Sequence, residues 1–287
     1  MNGLGGRGSS LGHQDDRFRV ELFQDGITKL PGVLTSETLA RLRSCYEWSL
    51  SNLSSRAFQE ENETCLQIID ANNPKALAVY RETVLDLPIG GLLADLWPSE
   101  NVWLYAEEVL KRKGRVTRGG WHQDLAYLPA TGENWVNCWI PFEPLPASHA
   151  IEVVRGSHHG LLYEGMSFSE EESASPQSES GDPSPPIPDI EAERQEDPDK
   201  WDILSFEVEP GDVVLLHPAT LHNAAQIDER VPERNTLVLR FFGDDATWTD
   251  LPDHQSGLRE DQKRAAPGGG RGKPGEPFRS ALFLKVH

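Results

Sequence analysis

Polar and apolar positions divide the chain into a helical N-terminal part, a strand-rich body and one stretch that fits neither. After Phe18–Phe23 and a turn at Asp25-Gly26, Ile27 to Leu34 alternates through a Pro31-Gly32 turn, the pattern of a short edge strand. Thr35 is placed to cap a helix with Glu37 in its first turn, and Leu39, Leu42, Cys45 and Trp48 then share one face. Two more helices are expected over residues 74–85 and 89–96. From Val102 the texture becomes short, β-branched and aromatic. Runs at 102–110, 135–142, 151–154, 203–208, 212–216 and 236–242 are separated by Gly, Pro and Asn. That cadence belongs to an antiparallel sandwich or barrel rather than to alternating βαβ units.

Two stretches interrupt it. Residues 1–17 are Gly-rich and polar and read as a disordered leader. Between Glu164 and Asp202 stand thirteen carboxylates against only Arg194 and Lys200, interspersed with Ser and six prolines. Such a composition buries too little apolar area to offset its ordering entropy. The expectation is one domain over 18–287, carrying a disordered acidic insertion at 165–200 between two of its strands. Near the end, Ala281 to Leu284 is apolar enough to dock on the core.

Charge narrows the function. Lys and Arg total 27 against 46 Asp and Glu, a formal charge of −19, which disfavours a nucleic-acid or anionic-membrane partner. No apolar run approaches the roughly 20 residues of a membrane span. The N-terminus lacks the apolar region of a secretory signal, and Cys45, Cys65 and Cys138 form no CxxC pair. These features lead us to expect a cytoplasmic protein, monomeric or homodimeric, acting on a small molecule.

The chemistry begins at Trp121-His122-Gln123-Asp124. On a strand, residues i and i+2 face one way, so His122 and Asp124 can aim at one point. An imidazole and a carboxylate together supply two donors of a 2-His-1-carboxylate iron site. The third donor has two candidates, His217 at the end of a buried strand and His222 after the following turn; spacing alone does not choose. Arg234, twelve residues beyond His222, offers a planar fork suited to a carboxylate.

Taken in order, these pieces resemble the phytanoyl-CoA dioxygenase family of Fe(II)/2-oxoglutarate oxygenases. The matching segments are 121–124, Val136 to Pro141, Val153 to His158, Gly211 to His222 and Arg234 to Asp245. The resemblance implies an all-β core, a double-stranded β-helix (jelly roll, cupin-like) with flanking N-terminal α-helices. It implies iron ligation by His122, Asp124 and His222, with His217 structural. It assigns the distal carboxylate of 2-oxoglutarate to Arg234, with Trp139 and Tyr105 in the cosubstrate pocket and O2 as co-reactant. Where similar families carry Ser two residues after the distal His, this chain has Ala224, so a hydroxyl must come from Thr236 or Thr220 or be missing. Gln123, Tyr127 and the acidic insertion are expected at the mouth, and His158 and His159 in a turn. The retained Asp124 implies hydroxylation, not halogenation, of a secondary-metabolite substrate. A non-catalytic jelly-roll partner subunit and a cupin-like enzyme without 2-oxoglutarate are the alternatives.

Overall fold

A computed structural model describes residues 11–163, 185–249, 272–280 and 283–287. Its elements in chain order are α1 (Leu11–Asp25), β1 (Ile27–Leu30), α2 (Ser36–Ser51), β2 (Phe58–Glu61), β3 (Cys65–Ala71), α3 (Ala76–Leu85) and α4 (Ile89–Leu96). They continue with β4 (Trp103–Gly114), β5 (Ala130–Thr131), β6 (Trp135–Pro141), β7 (Ile151–Val154), α5 (Ile190–Glu196) and β8 (Ile203–Ser205). Last come β9 (Val213–Leu216), β10 (His222–Ala224), β11 (Glu233–Phe242), β12 (Thr247–Trp248) and β13 (Leu284–Lys285).

An eight-stranded antiparallel sheet runs β1-β9-β6-β11-β4-β3-β2, with β13 added against β4; a smaller sheet, β10-β7-β8, faces it. The two inner faces enclose one apolar core that includes Trp139, Val153, Val214, Leu216 and Val238. The other face of the large sheet packs α1 to α4 through Val136, Cys138, Leu215, Leu237 and Leu239. With both faces covered, β6 and β9 are buried at every position; β9 reads as a continuous apolar run, and β6 is apolar but for Asn137. This is the helix-flanked jelly roll that the resemblance implies.

Local signals hold where they were strongest. The Thr35 side chain accepts from Thr38 N at 3.2 Å and starts α2, whose Leu42 and Cys45 are buried. β1 occupies one edge of the large sheet, paired with β9. Gly26, at φ +78°, ends α1: its N–H bonds Leu22 O and its carbonyl accepts from His217 N and Thr220 Oγ1. That carbonyl ties down the turn leading to His222. His158 and His159 sit in the turn expected of them, both hydrogen-bonded to Phe23 O.

Two expectations need correction, and one hairpin has no counterpart in the sequence pattern. Helix α1 begins at Leu11, so the leader is helical from there, and Phe18 and Leu22, one turn apart, dock on the core; residues 1–10 lie outside the described residues. The hairpin β2–β3 carries no apolar alternation, since every β2 residue is exposed, and the hydrophobic pattern gives no sign of it.

The acidic insertion is the second correction. Residues 164–184 lie outside the described residues, but 185–200 are built into the fold. Asp189 caps α5, and Ile190, 1% exposed, packs among Trp121, Val154 and Leu221. Glu191 accepts from Trp121 Nε1 at 2.9 Å and pairs with Arg118 at 3.6 Å. One apolar anchor and specific charge pairing hold this part where composition argued for disorder. Ile190→Ala should therefore lower the unfolding free energy by about 2–5 kcal/mol in chemical denaturation, as for a core truncation, not by the near-zero of a disordered site.

Candidate metal centre

The site forms where the two sheets meet at one end of the barrel. His122 and His222 are paired in a single antiparallel bridge, His122 N to His222 O at 3.1 Å and His222 N to His122 O at 3.0 Å. Their rings consequently lie side by side, with centroids 4.2 Å apart. Asp124 does not continue a strand with His122, as the i, i+2 argument supposed. It opens a short 3-10 helix, Asp124–Tyr127, anchored by Leu125 N on Pro218 O. The turn nevertheless brings its carboxylate back to the imidazoles: Asp124 Oδ1 is 3.4 Å from His122 Nε2 and 3.8 Å from His222 Nε2. One donor atom from each residue lies within 4.8 Å of the others.

Each donor is oriented from behind. His122 Nδ1 meets Gly120 O at 2.9 Å and His222 Nδ1 meets Thr220 O at 2.8 Å, which puts a proton on each Nδ1 and turns each Nε2 toward the site. Asp124 Oδ2 accepts from Asn137 Nδ2 at 2.7 Å and Arg240 Nη2 at 3.0 Å, leaving Oδ1 to face the imidazoles. Arg240 is also paired with Glu108 at 2.6 Å. Burial alone would raise the Asp124 carboxyl, but the Arg240 guanidinium and the His122 hydrogen bond hold it well below the usual carboxylate range. Burial, with His122 alongside, pushes His222 down to about 4. Burial lowers His122, but the hydrogen bond and charge of Asp124 more than offset it and raise the ring above its ordinary value, so a metal binding at Nε2 displaces a proton there. Two imidazole nitrogens and one carboxylate oxygen on a common face suit divalent iron.

His217 lies apart from this set. Its Nδ1 takes the Ala219 N–H, its ring packs on His158, and burial lowers it to about 4.

A cavity of about 460 Å³ opens over the three donors. Trp139 and Val238 line its inner wall, as do Asp124, Asn137 and Arg240; Glu60, Thr64 and Gln67 of the β2–β3 hairpin form the outer wall. Of the other residues singled out in the sequence, several face elsewhere. Tyr105 falls at a bulge, where Arg240 pairs with Ala106 but Phe241 with Leu104; its ring joins Trp135, Phe278 and Phe283 in an aromatic cluster outside the cavity. Gln123 is 1% exposed and acts as a staple: its Nε2 donates to Ala219 O and Leu161 O, and its Oε1 accepts from Tyr163 N. Tyr127 sits on the 3-10 helix and does not line the cavity. Thr236 is on the same face of β11 as Val238 and is buried, in register with Leu110 and Pro141, without lining the cavity, and the Thr220 hydroxyl is spent on Gly26 O. Arg234, 4% exposed, donates to His149 O at 2.5 Å and stands directly across from Arg112, which does line the cavity.

The model of the phytanoyl-CoA dioxygenase family matches residues 23–228, most of the chain. The chain belongs to this family. Among curated protein sequences none matches it. In fold, this phytanoyl-CoA dioxygenase family member is similar to the epimerase SnoN solved with Fe3+, α-ketoglutarate and nogalamycin RO (16% identity, TM-score 0.67, covering 96% of this chain and 100% of that one). It is also similar to the α-ketoglutarate-dependent carbocyclase SnoK from nogalamycin biosynthesis (18%, 0.62, 94% and 96%). A third likeness is to EctD from S. alaskensis with 2-oxoglutarate and 5-hydroxyectoine (15%, 0.58, 82% and 78%). Iron and 2-oxoglutarate are the family's cofactors, with O2 as cosubstrate, and the His-Asp-His donor set fits the iron. Among the described residues, no helix is long and apolar enough to cross a membrane.

Sequence reasoning missed Arg240, Asn137 and Arg112. The signal for the first two was period-2 alternation: Arg240 shares a face with Val238 on β11, and Asn137 shares one with Trp139 on β6. Arg112 faces the cavity from β4 by the same rule, together with Glu108 and Leu110.

Proposed function

We propose that this protein is an Fe(II)/2-oxoglutarate-dependent hydroxylase of a small organic metabolite, with His122, Asp124 and His222 as iron ligands. The observation that carries the reading is the orientation of all three donors by hydrogen bonds on their far sides, with a cavity of small-molecule size above them. Iron with 2-oxoglutarate and O2 supplies the oxidising power that attacks an unactivated C–H bond, releasing succinate and CO2. The protein's part is placement. Arg240 and Asn137 hold Asp124 so that a single carboxylate oxygen faces the metal. Arg234 contributes positive charge for the distal carboxylate of 2-oxoglutarate. Trp139 walls the cosubstrate side, and Leu216, Val238 and Ile151 keep that part of the cavity apolar. Because Asp124 fills the carboxylate position, the reading is oxygen transfer and not halogenation.

Glu60 on the outer wall, in a strongly acidic chain, disfavours a polyanionic substrate such as an acyl-CoA and favours a neutral or cationic one. The likeness to tailoring enzymes of nogalamycin biosynthesis supports a role in secondary metabolism.

The test is aerobic incubation with Fe(II), 2-oxoglutarate and a panel of neutral and cationic metabolites. Succinate formation coupled to a product heavier by one oxygen is expected. Coupled succinate with a product of unchanged mass, or lighter by two hydrogens, would assign epimerisation or desaturation instead.

A further inference from the structure

Arg112 on β4 and Arg234 on β11 are opposite each other in register, 6% and 4% exposed, and among the described residues neither pairs with a carboxylate. The remaining arginines of the cavity are matched: Arg240 with Glu108 and Asp124, Arg118 with Glu152 and Glu191, Arg115 with Glu229. Among the described residues the Arg112 head group makes only two long contacts, from Nη1 to Ala224 O and to Ala225 O, each 3.4 Å, and its Nε is buried without a partner. Burying a cation with no counter-charge is unfavourable, so two facing each other are hard to explain as scaffold. Burial lowers Arg112 to about 10 and Arg234 to about 9, the latter aided by the Arg112 charge.

The place of the Arg112 head group is informative. It lies against Ala224, two residues beyond His222 on β10, or roughly 7 Å along the strand from that ligand. A five-carbon keto-dicarboxylate with its keto acid at the metal extends about this far. Gly119 lies beside this head group, where even a Cβ would stand in ordinary contact 3.5 Å from Arg112 Nη2, and Ala224 brings a methyl and no hydroxyl.

Resting on the reading that 2-oxoglutarate binds here, we propose that Arg112 is a cosubstrate-specificity residue: with Arg234 it forms a two-guanidinium fork for the distal carboxylate. A bidentate arginine supplies the donors that the missing hydroxyl does not. Arg112 is the member of the pair on the cavity surface, and Arg234 reinforces it from across the sheet.

The experiment is anaerobic calorimetry of the full-length Fe(II) protein with 2-oxoglutarate and with 2-oxovalerate, which has the keto acid but no distal carboxylate. Arg112→Gln should weaken 2-oxoglutarate about 10- to 100-fold while changing 2-oxovalerate no more than about twofold. Arg112→Lys, which keeps the charge but not the fork, should fall between. The metal-free Arg112→Gln protein should melt no lower than wild type, because it loses an uncompensated buried charge. Unchanged 2-oxoglutarate affinity in Arg112→Gln would overturn the proposal and give the arginine to a carboxylate of the oxidised substrate. Equal weakening of both keto acids together with a lowered melting temperature would also overturn it, as a structural role. A wild-type protein that does not distinguish the two keto acids would overturn the 2-oxoglutarate reading itself.

Discussion

His222→Ala is expected to remove iron binding, whereas His217→Ala keeps it. Both histidines are buried and both have depressed pKa values, so burial and titration do not separate them. Geometry does. His222 faces Asp124 and stacks beside His122 across a bridge, with its Nδ1 fixed by Thr220 O. His217 instead has Nδ1 engaged by the Ala219 N–H and packs on His158. Losing an iron ligand should cost more than the roughly 10–100-fold in affinity typical of an outer hydrogen-bonding partner. His217→Ala should leave iron affinity within a few-fold but lower the melting temperature, through a cavity beside the 217–220 turn. Equilibrium dialysis against Fe(II) under anaerobic conditions separates the two. Retained iron in His222→Ala with loss in His217→Ala would reverse the assignment.

Arg240→Ala should be the most damaging substitution that touches no ligand atom. Its guanidinium is 12% exposed and bridges Glu108 at 2.6 Å and Asp124 at 3.0 Å, so removal leaves two mostly buried carboxylates without their cation. Breaking such a pair typically costs about 3–5 kcal/mol. The pH dependence follows from Asp124. Burial raises its carboxyl, but Arg240 together with the neighbouring imidazoles more than offsets this, and its folded pKa lies below the unfolded value. The resulting stabilisation is present above the unfolded pKa and is lost as pH falls through the depressed folded one. Without Arg240 the carboxyl rises, so acid unfolding and loss of iron affinity should both begin at higher pH than in wild type. Denaturation and iron titrations from about pH 2 to about pH 7, a range that spans the ordinary Asp value of about 3.9 and the depressed one below it, measure both. Identical acid limbs in variant and wild type would contradict this account of how Asp124 is held.

What could be read from the chain was what depends on near neighbours. The Thr35 cap, the edge strand before Pro31-Gly32, the amphipathic face of α2 and the order of HxD, turn, strand, histidine and arginine are all local facts. The rest depends on partners far away in sequence. Ile190 is buried by Trp121, Val154 and Leu221, which no composition count around residue 190 contains. The β2–β3 wall is polar on the outside and held by Asn62 in its turn, where Oδ1 takes the N–H groups of Thr64 and Cys65. Tyr105 follows a bulge set by pairing with β11, and that shift leaves no mark in the residues around it. Arg112 gains its meaning only from Arg234 across the sheet and from Ala224 on β10.

The central claim is that one iron, held by His122, Asp124 and His222, takes 2-oxoglutarate as a chelate. Anaerobic titration of the metal-free protein with Fe(II) and then 2-oxoglutarate tests it most directly, read by the visible metal-to-ligand charge-transfer band. A saturable band in the wild type that is missing in His122→Ala is the predicted result. Iron bound without a band would contradict the claim and point to a cupin-like enzyme that does not use 2-oxoglutarate; binding of neither would point to a non-catalytic partner subunit.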